Sequence, residues 1–374
     1  MPQTEIGTSE RLLEELRGWV ETETPTTDAA SVNRLVDRAE AELQGVGAAV
    51  TRIPGRDGFG DTLVARTPGE GPAVVVSGHL DTVWGLGTLG TMPFRVDGEQ
   101  AHGPGIYDMK AGSFIALHAV REILRQKVPT KRPVTLLLTP DEEVGSPTSR
   151  ALIEAEAKGA VAVLIPEPAG PGGAAVTARK GVGRFVVRIT GRAAHSGGNY
   201  VDGRSAVVEA AHQVLAIASM VDLKDGTTTN VAPIWGGTRP NVIAQEAGFE
   251  IDLRVQTAAD GARMEKRLLG LKPLTPDVTI EVTGGMNRPP FAESPEILAL
   301  YERYRGICAE IGFDAPKQHR GGGSDGNFTA ALGIPTLDGL GCPGAGAHAD
   351  HEHILWRQLA PRAAAMAAML ESLE

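Results

Sequence analysis

The strongest constraint on this chain is a set of three short segments, 73–77, 134–139 and 161–165, that are apolar in succession rather than in alternation. A strand with one wet face alternates apolar and polar residues, whereas a strand covered on both faces need not. Each run is bounded by Gly, Pro or charged residues, and helical stretches fall between them at 111–126 and 148–158. Alternating buried strands and helices imply an α/β sheet flanked by helices on both faces. Amphipathic periodicity predicts two earlier helices, over 9–20 and 29–45, the second capped by Asp28 or Ser31.

The pattern changes near residue 180. Residues 183–190 alternate in the period of a half-exposed strand, and a helix is expected over 203–220. Two strands (227–235 and 246–255), a helix (258–270) and a strand (277–283) complete a βαββαβ order, that of a ferredoxin-like sandwich. The α/β pattern then resumes with a helix at 294–311 and a last helix from about 355. A chain of 374 residues suits two domains. The expected division is 1–179 with 288–374, and an inserted domain at 180–287.

Composition excludes several classes. A net charge of −10 disfavours polyphosphate and anionic membranes as partners, and 4% aromatic residues give little surface on which bases could stack. Two cysteines, Cys308 and Cys342, make neither a disulfide scaffold nor a thiolate zinc site, and are read as one buried and one loop thiol. No basic segment followed by an apolar run opens the chain, and no apolar run approaches the roughly 20 residues of a membrane helix. A cytoplasmic location is the expectation.

Five segments carry metal-ligand residue types at strand ends or in loops. His79 and Asp81 follow the first apolar run; in extended chain they point the same way, so Asp81 can hold the ring of a ligating His79. Asp108 sits in a Gly- and Pro-rich turn ahead of a helix, where a plain N-cap is the commoner role. Asp141, Glu142 and Glu143 follow the second run; three adjacent carboxylates repel and should spread into solvent unless a cation holds them. Glu167, between two prolines, follows the third run, and a rigid surface turn competes with a ligand there. His348, His351 and His353 share one loop, a modest metal signal. In open α/β sheets ligands bind at the carboxyl ends of strands, where His79, Glu143 and Glu167 fall. Two imidazoles and three carboxylates suit a pair of zinc ions, with cobalt or manganese as substitutes.

The segments SGHLDTVW, GPGIYDMKAG, TPDEEVGS, IPEPAG, GRAAHSGG, RGGGSDGN and GCPGAGAH, in this order along nearly the whole chain, resemble the motifs of one zinc metallopeptidase family. It includes bacterial glutamate carboxypeptidases, aminoacylases, carnosinase-like dipeptidases and succinyl-diaminopimelate desuccinylase. The resemblance implies a zinc-peptidase catalytic domain with a mixed sheet and an inserted ferredoxin-like lid that joins a homodimer and closes about hinges near 180 and 288. It implies that Asp108 bridges two zinc ions, with His79 and Glu167 on one and Glu143 and His348 on the other. Asp81 would orient His79, Glu142 would be the general base, and the bond after Asp108 would be cis. Three ligand carboxylates with Glu142 would balance two divalent cations, so metal should stabilise the fold. His195 would reach a partner subunit's site and stabilise an oxyanion. Asn241, Arg254, Arg288 and Gly323 would hold substrate, an arginine suiting a carboxylate through two parallel bonds.

The forms Thr-Met-Pro-Phe, Gly-Pro-Gly-Ile and Arg-Gly-Gly-Gly-Ser-Asp favour the glutamate carboxypeptidase branch, releasing a C-terminal residue, Glu first among candidates. The alternatives are an N-acyl-amino-acid deacylase or dipeptidase of the same family, and a binding protein that lost catalysis. A dehydrogenase fails: the GxGxxG of residues 85–90 runs into Thr91-Met92-Pro93 rather than a helix, and the glycines at 321–323 lack a P-loop lysine.

Overall fold

Three apolar strands lie side by side and parallel at the centre of a six-stranded sheet. Val74–His79 pairs on one side with Val134–Thr139, in the register Val74↔Val134 to His79↔Thr139, and on the other with Ala162–Leu164. The computed structural model describes residues 2–374. The full strand order is Ala49–Ile53, Thr62–Arg66, Val134–Thr139, Val74–His79, Ala162–Leu164, Thr336–Leu337. The first two strands join antiparallel, so the sheet is mixed.

The consecutive apolar residues are explained by burial on both faces. Val74, Val76, Leu136 and Leu138 enter the main core, while Val75 and Leu137 point to smaller clusters on the opposite face. That is the two-residue period of a strand, with both phases apolar. Helices Ser9–Val20, Ala29–Gln44, Ala111–Gln126 and Leu359–Ser372 supply the main core, where Trp19 meets the Phe114 ring edge-on at 5.6 Å. Asp28, rather than Ser31, caps the second helix by accepting the Ser31 N–H.

Two compact units divide the chain. One comprises residues up to Ala178, Glu293–Arg320 and Ser324–Glu374; the other comprises Arg179–Ala292 with Gly321–Gly323. In the second, four antiparallel strands run in the order Thr228–Gly236, Glu246–Val255, Gly181–Thr190, Thr279–Arg288. Helices Ala206–Ala218 and Ala258–Leu269 cover one face, against Phe185, Val187, Phe249, Ile251 and Leu253. With both helices this is the βαββαβ order.

The shortest elements escape sequence periodicity. A second four-stranded antiparallel sheet of the first unit is built from Gly344–Ala345, His353–Leu355, Gln100–His102 and Arg95–Asp97. It ties the segment carrying His348 to the segment that leads into Asp108. Strands of two or three residues are too short to show a period. Both cysteines are buried, where one buried and one loop thiol were expected: Cys342 lies in a loop, its Sγ 3.4 Å from the Leu355 carbonyl, and burial pushes the thiol up to about 12. No helix among the described residues is long and apolar enough to cross a membrane.

Candidate metal centre

The carboxyl ends of the three parallel strands deliver the candidate ligands to one place in the first unit. His79 is the last residue of its strand and is buried. Its Nδ1 lies 3.0 Å from the main-chain oxygen of Asp81 and 3.3 Å from Asp81 Oδ1. Backbone and side chain of Asp81 together therefore orient the ring, where the sequence reading assigned this to the side chain alone. Asp81 is itself fully buried. Its carboxylate accepts the Thr26 hydroxyl (2.7 Å) and the main-chain N–H groups of Glu142 and Glu143, both at 3.2 Å. A buried charge is tolerated when so many donors converge on it.

The three consecutive carboxylates do not share one fate. Asp141 turns away and is fully buried; its oxygens accept from the backbone and hydroxyl of Thr148 and Ser149. Glu142–Val144 form one 3-10 turn, which aims Glu142 and Glu143 toward His79. The expectation of mutual repulsion into solvent fails because hydroxyl donors and the cluster divide the charges between them.

Asp108 is not an N-cap. Helix Ala111–Gln126 begins three residues later with no side-chain cap, and Asp108 has non-helical φ and ψ of −115° and 97°. The Asp108–Met109 peptide bond is cis. Gly112 permits the close approach that follows: a Cβ there would lie 1.7 Å from the carbonyl oxygen of Pro166, beside Glu167.

Asp108 stands between two imidazoles. Its Oδ1 lies 3.5 Å from His79 Nε2, and its Oδ2 lies 3.4 Å from His348 Nε2. His79 Nε2 also faces Glu167 Oε1 at 3.7 Å, and His348 Nε2 faces Glu143 Oε2 at 3.1 Å. Ligand atoms of His79, Glu142 and Glu167 gather within 4.8 Å, as do those of His79, Asp108 and Glu143. Of the three loop histidines, only His348 has a close contact with this group. His351 is exposed beside Asp350, and His353 has its Nδ1 2.9 Å from the His351 carbonyl.

The arrangement fits divalent cations. His79 Nε2 and Glu143 Oε1 are buried with no hydrogen-bond partner in the protein, which is costly unless something else engages them. Two ligands about 2.0–2.1 Å from one tetrahedral zinc stand about 3.3 Å apart, close to the spacings observed. The titration behaviour points the same way. Burial disfavours a charge on His79, but Asp108 and Asp81 outweigh it and hold the ring well above its ordinary pKa. Asp108 and Glu143 raise His348 to about 10. Burial would raise Asp108, yet His348 and His79 hold it below the usual carboxylate range. Burial pushes the Glu143 carboxyl up. Such a set calls for positive charge, from imidazole protons or from cations.

The remaining candidates all belong to the second unit. His195 is exposed, and its Nδ1 accepts the N–H groups of Gly197 (3.1 Å) and Gly198 (3.0 Å). An accepting Nδ1 places the neutral ring's proton on Nε2, making Nε2 a donor. Asn241 lies next to this loop: its carbonyl accepts the Ser196 N–H, and His195 forms a β-bridge with Val242. Arg254 holds its own neighbour Asp252 through two bonds, 2.7 and 2.8 Å. Arg288 is buried. A Cβ on Gly323 would meet the Arg288 Cδ at 2.7 Å, so the glycine makes room for that side chain.

Sequence reasoning missed Glu352, a buried carboxylate that accepts from Trp84, Gly105, Tyr107 and Asp108. A glutamate in a histidine-rich loop carries no local signal of such a role.

A profile described as Peptidase family M20/M25/M40 matches residues 75–372. Carboxypeptidase G2 of Pseudomonas sp. (strain RS-16) is 33% identical over 367 residues, 96% of this chain and 88% of that protein. Acetylornithine deacetylase of Myxococcus xanthus is 29% identical over 239 residues, 59% of this chain and 61% of that protein. The crystal structure of a tripeptidase from Staphylococcus aureus matches in fold with a TM-score of 0.79 at 20% identity, covering 98% of this chain and 99% of that one.

Proposed function

Since the chain belongs to peptidase family M20/M25/M40 and is a hydrolase of peptide or amide bonds, we propose that it is a two-zinc carboxypeptidase that releases a C-terminal amino acid, Glu foremost, from a peptide or N-acyl amino acid. The observation that carries this reading is Asp108, whose two oxygens face two different imidazoles, each with its own second carboxylate. His79, Glu167, Glu143, His348 and Asp108 would hold the two cations, the first pair and the second pair of side chains each serving one, with Asp108 shared between them. Cobalt or manganese would fit the same donors.

Bound zinc supplies a Lewis acid for the scissile carbonyl and acidifies water at neutral pH. The protein's part is proton transfer and orientation. Glu142 takes the proton of the attacking water and delivers it to the leaving nitrogen. Its backbone is anchored on the carboxylate that also faces the His79 ring, so base and ligand share one support. His195 donates from Nε2 to the developing oxyanion of a partner subunit's substrate. Arg254, Arg288, Asn241 and Gly323 hold the substrate carboxylate and backbone, roles that rest on the sequence resemblance.

The same reading divides the chain into a catalytic domain (1–179 and 288–374) and an inserted lid (180–287) that joins a homodimer. Supporting the dimer, helix Ala206–Ala218 exposes Val207, Val208 and Leu215, and edge strand Thr228–Gly236 exposes Ile234 and Trp235. An apolar surface beside an unpaired strand edge invites a second copy.

Glu142→Ala tests the chemistry. Zinc content should persist while kcat falls by about 10²–10⁴; turnover at the wild-type rate removes Glu142 as the base. Peptides and N-acyl amino acids ending in Glu, Asp and neutral residues, assayed side by side, test the substrate. A preference for acetylated basic amino acids would instead support a deacylase, the activity named for the Myxococcus relative.

A further inference from the structure

Resting on that two-cation reading, we propose that Glu352 is a positioning residue for the bridging carboxylate: it holds the backbone of residues 105–108 so that the two oxygens of Asp108 face separate partners.

Glu352 is fully buried. Its Oε1 accepts the main-chain N–H groups of Tyr107 (2.8 Å) and Asp108 (3.0 Å). Its Oε2 accepts the Gly105 N–H (2.9 Å) and the Trp84 indole N–H (2.7 Å). Three of the four donors thus lie within four residues that end at Asp108 itself. The non-helical path of this segment offers those amides no regular ladder of carbonyl acceptors, and an unpaired buried N–H is costly. One carboxylate satisfies all three.

The other side of the turn is held by Lys110, whose Nζ donates to the carbonyls of Thr22 (2.8 Å) and Pro104 (3.3 Å). Between these two grips the backbone at Asp108 has little freedom, so neither does the direction of its side chain.

Glu352 is also four residues beyond His348. The intervening segment is closed by the Glu352 N–H on the Ala349 carbonyl and the Ala349 N–H on the Gly346 carbonyl, both at 2.9 Å. Two consecutive turns therefore carry one candidate ligand and the group that grips the backbone of another. Groups behind a metal's own ligands fix ligand orientation, and losing one weakens metal binding by about 10–100-fold.

Glu352→Gln keeps the shape and one acceptor oxygen but turns an amide NH₂ toward two N–H donors. The full-length chain, stripped of metal, is titrated with Zn²⁺ against a chromophoric chelator, and its Co²⁺-loaded form is examined by visible absorption. The variant should lose about 10–100-fold in affinity for at least one Zn²⁺, with an altered Co²⁺ spectrum. Glu371→Gln is the control: Glu371 is another buried carboxylate of the same unit, accepting from Gln3 and Thr4. It should lower stability while leaving zinc affinity and spectrum as in the wild type.

If Glu352→Gln fails to fold, Trp84→Phe removes one donor from the same carboxylate and should weaken Zn²⁺ binding about fivefold; unchanged affinity there overturns the proposal. So does wild-type zinc affinity and spectrum in Glu352→Gln. A wild-type chain that binds no zinc would sink the two-cation reading and this inference together. Two zincs in the wild type, with unaltered binding in the variant, would sink this inference alone.

Discussion

The two units treat their charged residues differently. In the first, His79, Asp81, Glu143 and Glu167 at the ends of three strands and Asp108 in the turn before a helix meet in one largely buried cluster, with two polar atoms left without protein partners. In the second, His195 and Asn241 stand in exposed loops, Arg254 is engaged by Asp252, and the buried Glu209 is met by Gln213 and the N–H groups of Leu274 and Thr275. The first unit therefore holds unsatisfied ligand atoms that a cation would complete, and the second shows no such cluster among the described residues. A candidate metal centre can be read within one subunit, whereas the role proposed for His195 needs a substrate and a second copy.

That contrast can be broken most directly by metal removal. A chelator should abolish hydrolysis and lower the melting temperature of the first unit only. The lost stabilisation is about 4 kcal/mol where free zinc had exceeded Kd a thousandfold. Calorimetry with and without zinc checks this, and equal shifts in both transitions would contradict the contrast.

The converse perturbation is Phe249→Ala, in the core of the second unit. Truncating a fully buried phenylalanine costs about 3–5 kcal/mol. Zinc stoichiometry measured on the folded variant should stay as in the wild type. Loss of zinc would mean that the metal centre depends on the second unit's packing.

His195→Ala should lower kcat by about 10²–10³ with zinc affinity untouched. Mixing it with Glu142→Ala sharpens the comparison: dimers with one variant in each subunit restore one intact site, so roughly a quarter of wild-type activity should return. No recovery on mixing would place His195 outside a shared site.

The smallest expected effect concerns acid. Burial would raise the Glu293 carboxyl, but Thr177, Lys317 and His319 outweigh it and hold it down at about 2. A carboxyl whose folded pKa lies below its ordinary 4.5 contributes stability above that value and loses it as pH falls toward 2. Glu293→Gln should remove about 1 kcal/mol of this acid sensitivity once solvent screening is counted. Denaturant melts at pH 6 and pH 3 would show it; parallel losses in variant and wild type would deny it.

Much of the candidate site is legible in the chain. His79, Glu143 and Glu167 follow apolar runs, and a sheet buried on both faces must present the ends of those runs together. The place of Asp108 is less visible: its residue type and turn equally suit a helix cap, and only the path of residues 105–110 turns it into the cluster. Among His348, His351 and His353 spacing offers no choice, and the short sheet joining 95–102 to 344–355 makes it. Glu352 had no signal at all, because its four donors lie more than 240 residues away along the chain.

By itself the sequence determined the periodic elements, the parallel centre of the main sheet, the βαββαβ order of the second unit and the residue types available for metal. Those follow from local rules, in which the spacing of apolar side chains decides which faces can be buried. Tertiary structure alone decided which carboxylates face inward, which histidine joins them and what holds Asp108 in place. Such choices depend on hydrogen bonds between distant segments, and they exist only after the sheet has brought those segments together.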